Sequence, residues 1–433
     1  HTNITRQTLG VDVDYAATRN SWTSCILGGI AVLNNGIDVP QQFISGNCTA
    51  LGSTAASAWP ATYLAKSIRT YKNSLVALNI TKAGTAKPYM VKWSHPADPG
   101  VMVPTWDETD ATKDAGETDL SEGSDQIIDG LALRDSFMIY KESSTWRMDY
   151  VGGAFVYRFQ KVLGSSGALT KNCIVELPSG VHFVLGSSDC VIHDGQTETS
   201  VLDKQTRKYL FANIEGAYVD RCFVFVNRLY NEVFVCYPSL GAQIPDRAMV
   251  WNWVDKTVSF RDMPSVNSGA SGPVSDSGTT GTWAGAVGNW EDRTDIWDSN
   301  SSILNRQLTV IASDNTKLYL LDSGATFAGT AINSYIERVG MSLGSPEKVK
   351  LARTVRPRIY GDSGSTVLIY VGSSSDPYGT VTYGDAITYT IGTTVNADTM
   401  TKGRYLAVKF ASGTASTWRL DSFDMDVYEG SSW

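Results

Sequence analysis

Short strands that are apolar on both faces run through residues 130–264, and they constrain the fold more than any other feature of this sequence. A half-buried strand alternates apolar and polar side chains, whereas residues 222–226 and 233–236 are apolar throughout. Such strands must be covered on both sides, and short sheets packed face to face meet that need. The sequence therefore predicts a β-propeller, in which function resides in loops, edges or assembly.

The remaining strand patterns place this propeller in a larger all-β chain. Groups of predicted strands recur along residues 1–330 at the spacing of propeller blades, and they predict five or six blades, with N-terminal strands completing the sixth. One helix is predicted near residues 200–214, where Ser200 and Asp203 suit the first turn. Residues 331–433 contain no Cys and a second series of short strands with Gly, Ser and Asp turns, which predicts a β-sandwich.

Negative charge is concentrated in one segment, the acidic insert at residues 96–125. From Asp98 to Asp125 there are nine acids and one base, Lys113, which together equal the net charge of -8 of the whole chain. This balance argues against a generally basic nucleic-acid binder. The insert is too long and polar for a tight connection, so it is predicted to be a solvated or interface-forming loop.

Positive charge is concentrated at the start of the second domain. This basic cluster consists of Lys348, Lys350, Arg353, Arg356 and Arg358. In an extended strand Lys348 and Lys350 would share one face, and so would Arg356 and Arg358. Contact with phosphate, contact with an acidic neighbour, and a solvated strand edge protected by charge all remain open.

Cysteines and histidines give no metal motif. A disulfide between Cys222 and Cys236 is conceivable across a hairpin, but buried free thiols in a reducing compartment fit the apolar strands better. His182 and His193 lie on opposite sides of a turn and are predicted to approach each other, yet no third ligand is in view. The sequence therefore predicts neither a metal site nor a cofactor.

Enzyme motifs are also weak. No GxSxG, P-loop, GxGxxG or HExxH pattern occurs, and residues 275–283 match a sialidase Asp box only imperfectly. Carboxylates of one loop are not a fixed pair across a cleft, as glycoside hydrolysis requires. The chain is predicted not to be an enzyme, and a glycosidase-type propeller is a minor alternative.

Targeting signals are not visible either. No apolar run approaches the ~20 residues of a membrane helix. The chain starts at His1 rather than Met, so a processed or truncated N-terminus is expected, and a leader could have been lost with it.

An ordered series of strings spans about residues 20–430 and resembles a known family. The strings begin with Met90-Val-Lys-Trp-Ser-His-Pro-Ala-Asp-Pro-Gly100, Trp106-Asp107, Asp114-Ala-Gly-Glu117 and Asp129-Gly-Leu-Ala-Leu-Arg-Asp-Ser-Phe-Met-Ile-Tyr-Lys-Glu142. They continue with Tyr150-Val-Gly-Gly153, His193-Asp-Gly-Gln196, Ser200-Val-Leu-Asp203, residues 253–264, Gly403-Arg-Tyr-Leu-Ala407 and Trp418-Arg-Leu420. Together they resemble the tail nozzle or tail tubular proteins of short-tailed bacteriophages, which are related to packaged-DNA stabilisation proteins.

This resemblance implies a structural virion protein. It implies a propeller with added β-domains that forms a homo-oligomeric, usually hexameric, ring below the portal and adaptor proteins. The ring would conduct and retain genomic DNA without sequence-specific binding, and it would anchor tail fibres. The expected location is the virion tail, after assembly in the reducing host cytoplasm. No catalytic residues are implied.

The charged segments are the candidate lumen or subunit interface. The candidate residues are Asp107, Glu108, Asp110, Asp114, Glu117 and Asp119 of the insert with Lys348, Lys350, Arg356 and Arg358 of the basic cluster. An acidic lumen would let DNA slide, because each cation that contacts phosphate adds affinity. The alternative is a receptor- or glycan-binding tail protein, with Trp283, Trp290 and Trp297 as its platform.

Overall fold

The structure is a computed structural model that describes residues 4–8, 11–16, 22–51, 59–153, 155–273, 307–324, 326–327 and 329–432. It forms two compact units, residues 1–321 and 322–433, so the boundary lies nine residues before the predicted position. The imperfect Asp box and the three tryptophans of the predicted glycan platform fall outside the described residues.

The described residues of the first unit form six antiparallel sheets after a short ribbon of β1 (Gln7–Thr8) and β2 (Val11–Asp12). Sheet 1 contains β3 (Thr23–Leu27), β4 (Ile30–Asn34), β5 (Gln41–Phe43) and β6 (Thr49–Ala50). Sheet 2 contains β7 (Tyr63–Tyr71), β8 (Ser74–Lys82), β9 (Thr85–Trp93) and β10 (Gly116–Asp119). Sheet 3 contains β11 (Ile127–Leu133), β12 (Ser136–Lys141), β13 (Thr145–Tyr150) and β14 (Tyr157–Leu163).

The other three sheets follow in chain order. Sheet 4 contains β15 (Ile174–Leu177), β16 (Val181–Leu185), β17 (Cys190–His193) and β18 (Glu198–Ser200). The helix α1 (Lys204–Ala212) and a 3-10 helix (Gly216–Arg221) come next. Sheet 5 contains β19 (Phe223–Asn227), β20 (Glu232–Tyr237), β21 (Arg247–Asn252) and β22 (Val258–Asp262). Sheet 6 contains β23 (Val266–Pro273), β24 (Gln307–Ser313) and β25 (Leu318–Leu320).

Separate hydrophobic clusters lie between consecutive sheets, and this makes the first unit a β-propeller. Val224 and Val235 pack toward sheet 4, whereas Phe225 and Phe234 of the same two strands pack toward sheet 6. The two-faced apolar strands are thus covered on both sides, which confirms the predicted fold.

The second unit is a β-sandwich, as predicted. A ribbon of β26 (Thr326–Phe327) and β27 (Thr330–Ala331) precedes it. Sheet 7 contains β28 (Ser334–Met341), β30 (Thr366–Ser374), β31 (Thr382–Tyr383), β32 (Ile387–Thr390) and β34 (Tyr405–Ser412). Sheet 8 contains β29 (Lys348–Gly361), β33 (Ala397–Gly403) and β35 (Trp418–Ser432). Both sheets contribute apolar side chains to one core, for example Val355 of sheet 8 and Ile369 of sheet 7.

The N-terminal strands supply a sixth blade, as predicted, and they form sheet 1. Two local expectations need correction. The acidic insert is only partly a solvated loop, because β10 pairs with β9 and Trp106 is buried against Trp59. The helix is shorter than predicted, since Ser200 ends a strand and the carboxylate of Asp203 caps α1 by accepting from the backbone of Gln205.

A buried ion pair ties the first strands of neighbouring blades together. Arg69 on β7 donates from Nε and Nη2 to the carboxylate of Asp129 on β11, at 2.9 and 2.6 Å. The same guanidinium donates to the side chain of Asn172, which precedes β15, and to the carbonyl of Ser24 on β3. Four blades therefore meet at one arginine.

A second buried polar contact joins sheets 3 and 4. His182 and His193 are directly paired across β16 and β17, and both lie within 2.7 Å of the Tyr140 hydroxyl. His193 Nδ1 accepts from the backbone N–H of Gly195, so its Nε2 donates to Tyr140. His182 Nε2 donates to the carbonyl of Ala132, so its Nδ1 accepts from Tyr140. This single directed chain of hydrogen bonds needs both imidazoles neutral.

Acid should destabilise the protein through these two histidines. Burial lowers the pKa of His182 to about 3 and that of His193 to about 4, from 6.5. Below pH 6.5 the unfolded chain therefore binds more protons, and stability is lost as pH falls toward 4. We expect each histidine to contribute about 1.4 kcal/mol per pH unit to this slope, measured by urea unfolding between pH 7 and pH 4.5.

The variant His193→Gln is the matched control, because the Gln amide N–H2 can still donate to Tyr140 but does not titrate. Its unfolding free energy should fall less steeply with acid than that of the wild type. An unchanged slope would contradict the assignment of the acid sensitivity to this contact.

Candidate functional site

Two carboxylates of the acidic insert are neutralised by lysines of sheet 2. Lys92 is fully buried and forms salt bridges with Glu108 and with Glu117, the latter at 3.3 Å. Lys82 contacts the same two carboxylates at 3.8 and 2.5 Å. Partial burial would raise the pKa of Glu108, but the hydrogen bond and charge of Lys92 outweigh it and hold this pKa below its usual value. These two candidates therefore fasten the insert to its blade.

Two further insert acids remain accessible to solvent. Asp107 accepts hydrogen bonds from the backbone and hydroxyl of Thr109, and Asp110 accepts the same pair from Thr112. These threonine bonds lower the pKa of both carboxyls, so both stay charged near neutral pH. Within the described residues, neither carboxylate forms a salt bridge. We call these two tight loops, residues 107–109 and 110–112, the acidic turns.

The last two insert candidates differ in exposure. Asp119 is exposed at the end of β10, opposite Met90. Asp114 is partly buried and uses its backbone, since its N–H donates to His95 and its carbonyl accepts from Trp93. Trp93 also requires glycine at position 116, because a Cβ there would lie 2.5 Å from the indole ring. Backbone contacts therefore fix the position of this part of the insert.

The basic cluster lies on β29, opposite acids of β35. The exposed face of sheet 8 contains the pairs Lys348–Glu429 at 2.7 Å, Arg356–Asp426 at 2.7 Å and Arg358–Asp424 at 3.6 Å. Arg356 and Arg358 share one face, as the spacing predicts. Exposed pairs of this kind stabilise a protein by about 0–1 kcal/mol each. Their main effect here is that each carboxylate neutralises the cation beside it.

Lys350 does not share the face of Lys348, which corrects the prediction. A register shift separates the two residues in the pairing of β29 with β35. The ammonium of Lys350 is buried and donates to the carbonyls of Ser345, Lys348 and Arg404, between 2.6 and 3.2 Å. Lys350 is therefore a structural residue, and nothing in the strand spacing marks this irregularity.

Sequence reasoning also missed two exposed features of the second unit. Arg353 stacks on Tyr428 and Arg419 stacks on Tyr360, across sheet 8. The strand β28 pairs only with β34 in the part of sheet 7 that is described, so it is an edge strand. It exposes Tyr335, Ile336 and Val339 by 50–60% of their surface. The sequence could have indicated that β28 is unusual, because its apolar residues do not alternate with polar ones as they do in a half-buried strand.

Other candidate chemistry is sparse in the described part of the chain. All six cysteines are free thiols, including the buried Cys222 and Cys236. The described residues contain no group of three or more His, Cys, Asp or Glu side chains placed to hold a metal ion. None of their helices has the length and apolar character needed to cross a membrane.

Comparison with known proteins adds little. No protein-family model and no curated protein matches the chain. Among solved structures, Hsv2 from Kluyvelomyces marxianus is 10% identical with a TM-score of 0.32 and covers 67% of this chain and 68% of its own. A Synechocystis apocarotenoid oxygenase is 10% identical with a TM-score of 0.37, and the match covers 72% of this chain and 70% of the oxygenase. Exo-beta-1,3-galactanase from Phanerochaete chrysosporium is 13% identical with a TM-score of 0.30, and the match covers 98% of this chain and 99% of the galactanase. Likeness at this level carries no argument about activity.

Removing the two carboxylates around Lys92 should destabilise the protein. The double substitution Glu108→Gln and Glu117→Gln leaves a fully buried ammonium without a carboxylate, and we expect a loss of about 3 kcal/mol in the free energy of unfolding. Chemical denaturation at pH 7 measures this change.

The matched control is the double substitution Asp107→Asn and Asp119→Asn, which removes the same charge from exposed positions of the same insert. Because the amide oxygen introduced at position 107 would still accept from Thr109, the change should stay within about 0.5 kcal/mol. Equal effects in the two variants would show that Lys92 does not depend on its partners.

Proposed function

We propose that the chain is a structural subunit of the tail nozzle or tail tube of a short-tailed bacteriophage. In this role it forms a homo-oligomeric ring, hexameric as the sequence resemblance implies. The ring conducts and retains the genome, contacts portal-side adaptor proteins and anchors tail fibres. The observation that carries the proposal is the edge strand β28, because its exposed Tyr335, Ile336 and Val339 give the β-protein a surface for assembly.

An exposed sheet edge that bears apolar side chains favours association. It presents unpaired backbone N–H and C=O groups, and soluble proteins usually protect such edges with charge, proline or a short strand. The strand β28 has eight residues and exposes three large apolar side chains, two of them, Tyr335 and Ile336, adjacent. Glu337 and Arg338 are exposed between them, so the edge offers both apolar and charged groups to a neighbouring subunit.

The charge distribution also suits a conduit for DNA. Each lysine or arginine that contacts phosphate adds salt-dependent affinity and would slow DNA movement. The net charge is -8, and three of the four basic candidates are paired with carboxylates on the same sheet. The fourth, Lys350, is buried. The candidate cations are therefore largely withdrawn from a passing DNA duplex.

Electron microscopy of the purified full chain, and of particles that contain it, tests this proposal. The expected result is a ring of subunits with an axial channel, located at a capsid vertex in the particle. A monomer in solution, or a side-mounted trimer on the particle, would overturn the proposal and favour the receptor- or glycan-binding alternative.

Charge placed on the edge strand should prevent assembly without unfolding the subunit. The double substitution Ile336→Lys and Val339→Lys introduces two cations at exposed positions, so the thermal midpoint should change little while the ring population falls at least tenfold. Analytical ultracentrifugation measures the ring population.

Val395→Lys is the matched control, because Val395 is 73% exposed and lies in the loop between β32 and β33, outside the edge strand. It should assemble like the wild type. Loss of rings in this control, or normal rings in the edge variant, would remove β28 from the interface.

A further inference from the structure

Two arginines on the exposed face of sheet 8 are held in place by aromatic rings. The guanidinium of Arg353 lies 5.5 Å from the ring centre of Tyr428, and that of Arg419 lies 5.3 Å from the ring centre of Tyr360. Both tyrosines are more than half exposed. Neither arginine forms a salt bridge within the described ranges of the chain, in contrast to Arg356. Both therefore keep their charge available to a partner.

These stacked pairs belong to one continuous surface, which we call the arginine–tyrosine face. It consists of Arg353, Arg356, Arg358, Tyr360, Arg419, Asp424, Asp426 and Tyr428. Its four arginines lie beside Asp424 and Asp426, and exposed Asp398 of β33 and Glu429 of β35 add negative charge to the same sheet. The positive charge is therefore local to the stacked Arg353 and Arg419. Arg353 and Tyr360 are seven positions apart on β29, which places the two stacked pairs roughly 23 Å apart at the rise of a β-strand.

The composition of this face is that of a protein interface. Arginine and tyrosine are enriched among residues that dominate binding energy. A guanidinium stacked on a ring is already ordered, so it loses less conformational entropy when it binds a carboxylate. The face is thus suited to acidic groups presented by another protein.

The chain itself presents such groups on its other unit. The acidic turns expose the carboxylates of Asp107 and Asp110, which are held in place by Thr109 and Thr112 and make no salt bridge to a described residue. Hydrogen bonds from the threonines lower the pKa of both carboxyls, which favours their ionised form. The stacked arginines and the acidic turns are therefore accessible and opposite in charge.

We propose that the arginine–tyrosine face of one copy docks the acidic turns of a second copy. This inference rests on the proposed ring, and it names the charged contact between neighbouring subunits. Because the two surfaces differ, the contact is heterologous, and repetition of a heterologous contact closes a ring when the rotation allows it. The edge strand β28 supplies apolar contact area, whereas the charged surfaces select register and partner.

A charge-swap experiment on the full chain tests this pairing. One variant carries Asp107→Lys and Asp110→Lys, and the other carries Arg353→Glu and Arg419→Glu. Alone, each variant brings like charges together at every contact of the ring. We expect the concentration needed for half-assembly to rise about tenfold or more for each variant alone, measured by analytical ultracentrifugation and electron microscopy.

Mixing the two variants in equal amounts should restore rings. In an alternating ring one contact is the wild-type pairing and the next is the reversed pairing of lysine with glutamate. Recovery on mixing also shows that both variants are folded, so failure of each alone cannot be attributed to unfolding. The recovered assembly should weaken at high salt, since exposed charges are screened.

Three outcomes would overturn the inference while leaving the ring itself intact. Normal assembly of either variant alone would show that these charges are not at the contact. Failure of the mixture to recover, with both variants folded by circular dichroism, would exclude pairing between copies. If the variant Arg353→Glu and Arg419→Glu assembled rings like those of the wild type but no longer bound duplex DNA, the face would be assigned to nucleic acid. Absence of rings in the wild type would instead overturn the proposed function.

The neutral variant Asp107→Asn and Asp110→Asn is the matched control for the lysine changes. It keeps the acceptors for Thr109 and Thr112 but removes the charge, so its half-assembly concentration should lie between those of the wild type and the lysine variant. An effect as large as that of the lysine variant would indicate that turn geometry matters, and not charge.

Discussion

The ion pair between Arg69 and Asp129 is the interaction on which the first unit depends. Asp129 is almost completely buried, and burial alone would raise its pKa; the charge and hydrogen bonds of Arg69 outweigh burial and lower it. Ser67, Gly130 and Asn172 donate the remaining hydrogen bonds to the carboxylate. Loss of one partner from such a pair typically costs about 3–5 kcal/mol, because the other charge stays buried. The pair therefore fixes how neighbouring blades are placed.

Apolar packing and buried polar contacts have different roles between the blades. Hydrophobic clusters between sheets stabilise the packing by burying apolar surface, but apolar contacts have no fixed direction and permit many side-chain arrangements. The hydrogen bonds of the Tyr140 hydroxyl with His182 and His193 each have a defined direction, so they are compatible with only one arrangement. Polar contacts of this kind select one packing of sheets 3 and 4 from those that burial alone would allow.

Local pairing decides which charged residues remain available for function. Glu108 and Glu117 are used to hold the insert on sheet 2, and Lys350 is used to bind backbone carbonyls. Asp107 and Asp110 remain accessible on one unit, and the stacked Arg353 and Arg419 remain accessible on the other. Net charge and clustering along the chain identify charged segments, but not which residues within them are accessible to solvent.

The sequence by itself determined the all-β class, the propeller and the sandwich. Strands such as residues 222–226 are apolar on both faces, and this requires covering sheets whatever the details of packing. Only the tertiary structure decided that residues 116–119 join sheet 2, that a register shift buries Lys350, and that Arg69 meets Asp129 across 60 positions of the chain. Periodicity records which faces a strand buries, because that choice repeats every two residues. Register shifts and contacts between distant side chains follow no period, so they emerge only when the sheets pack together.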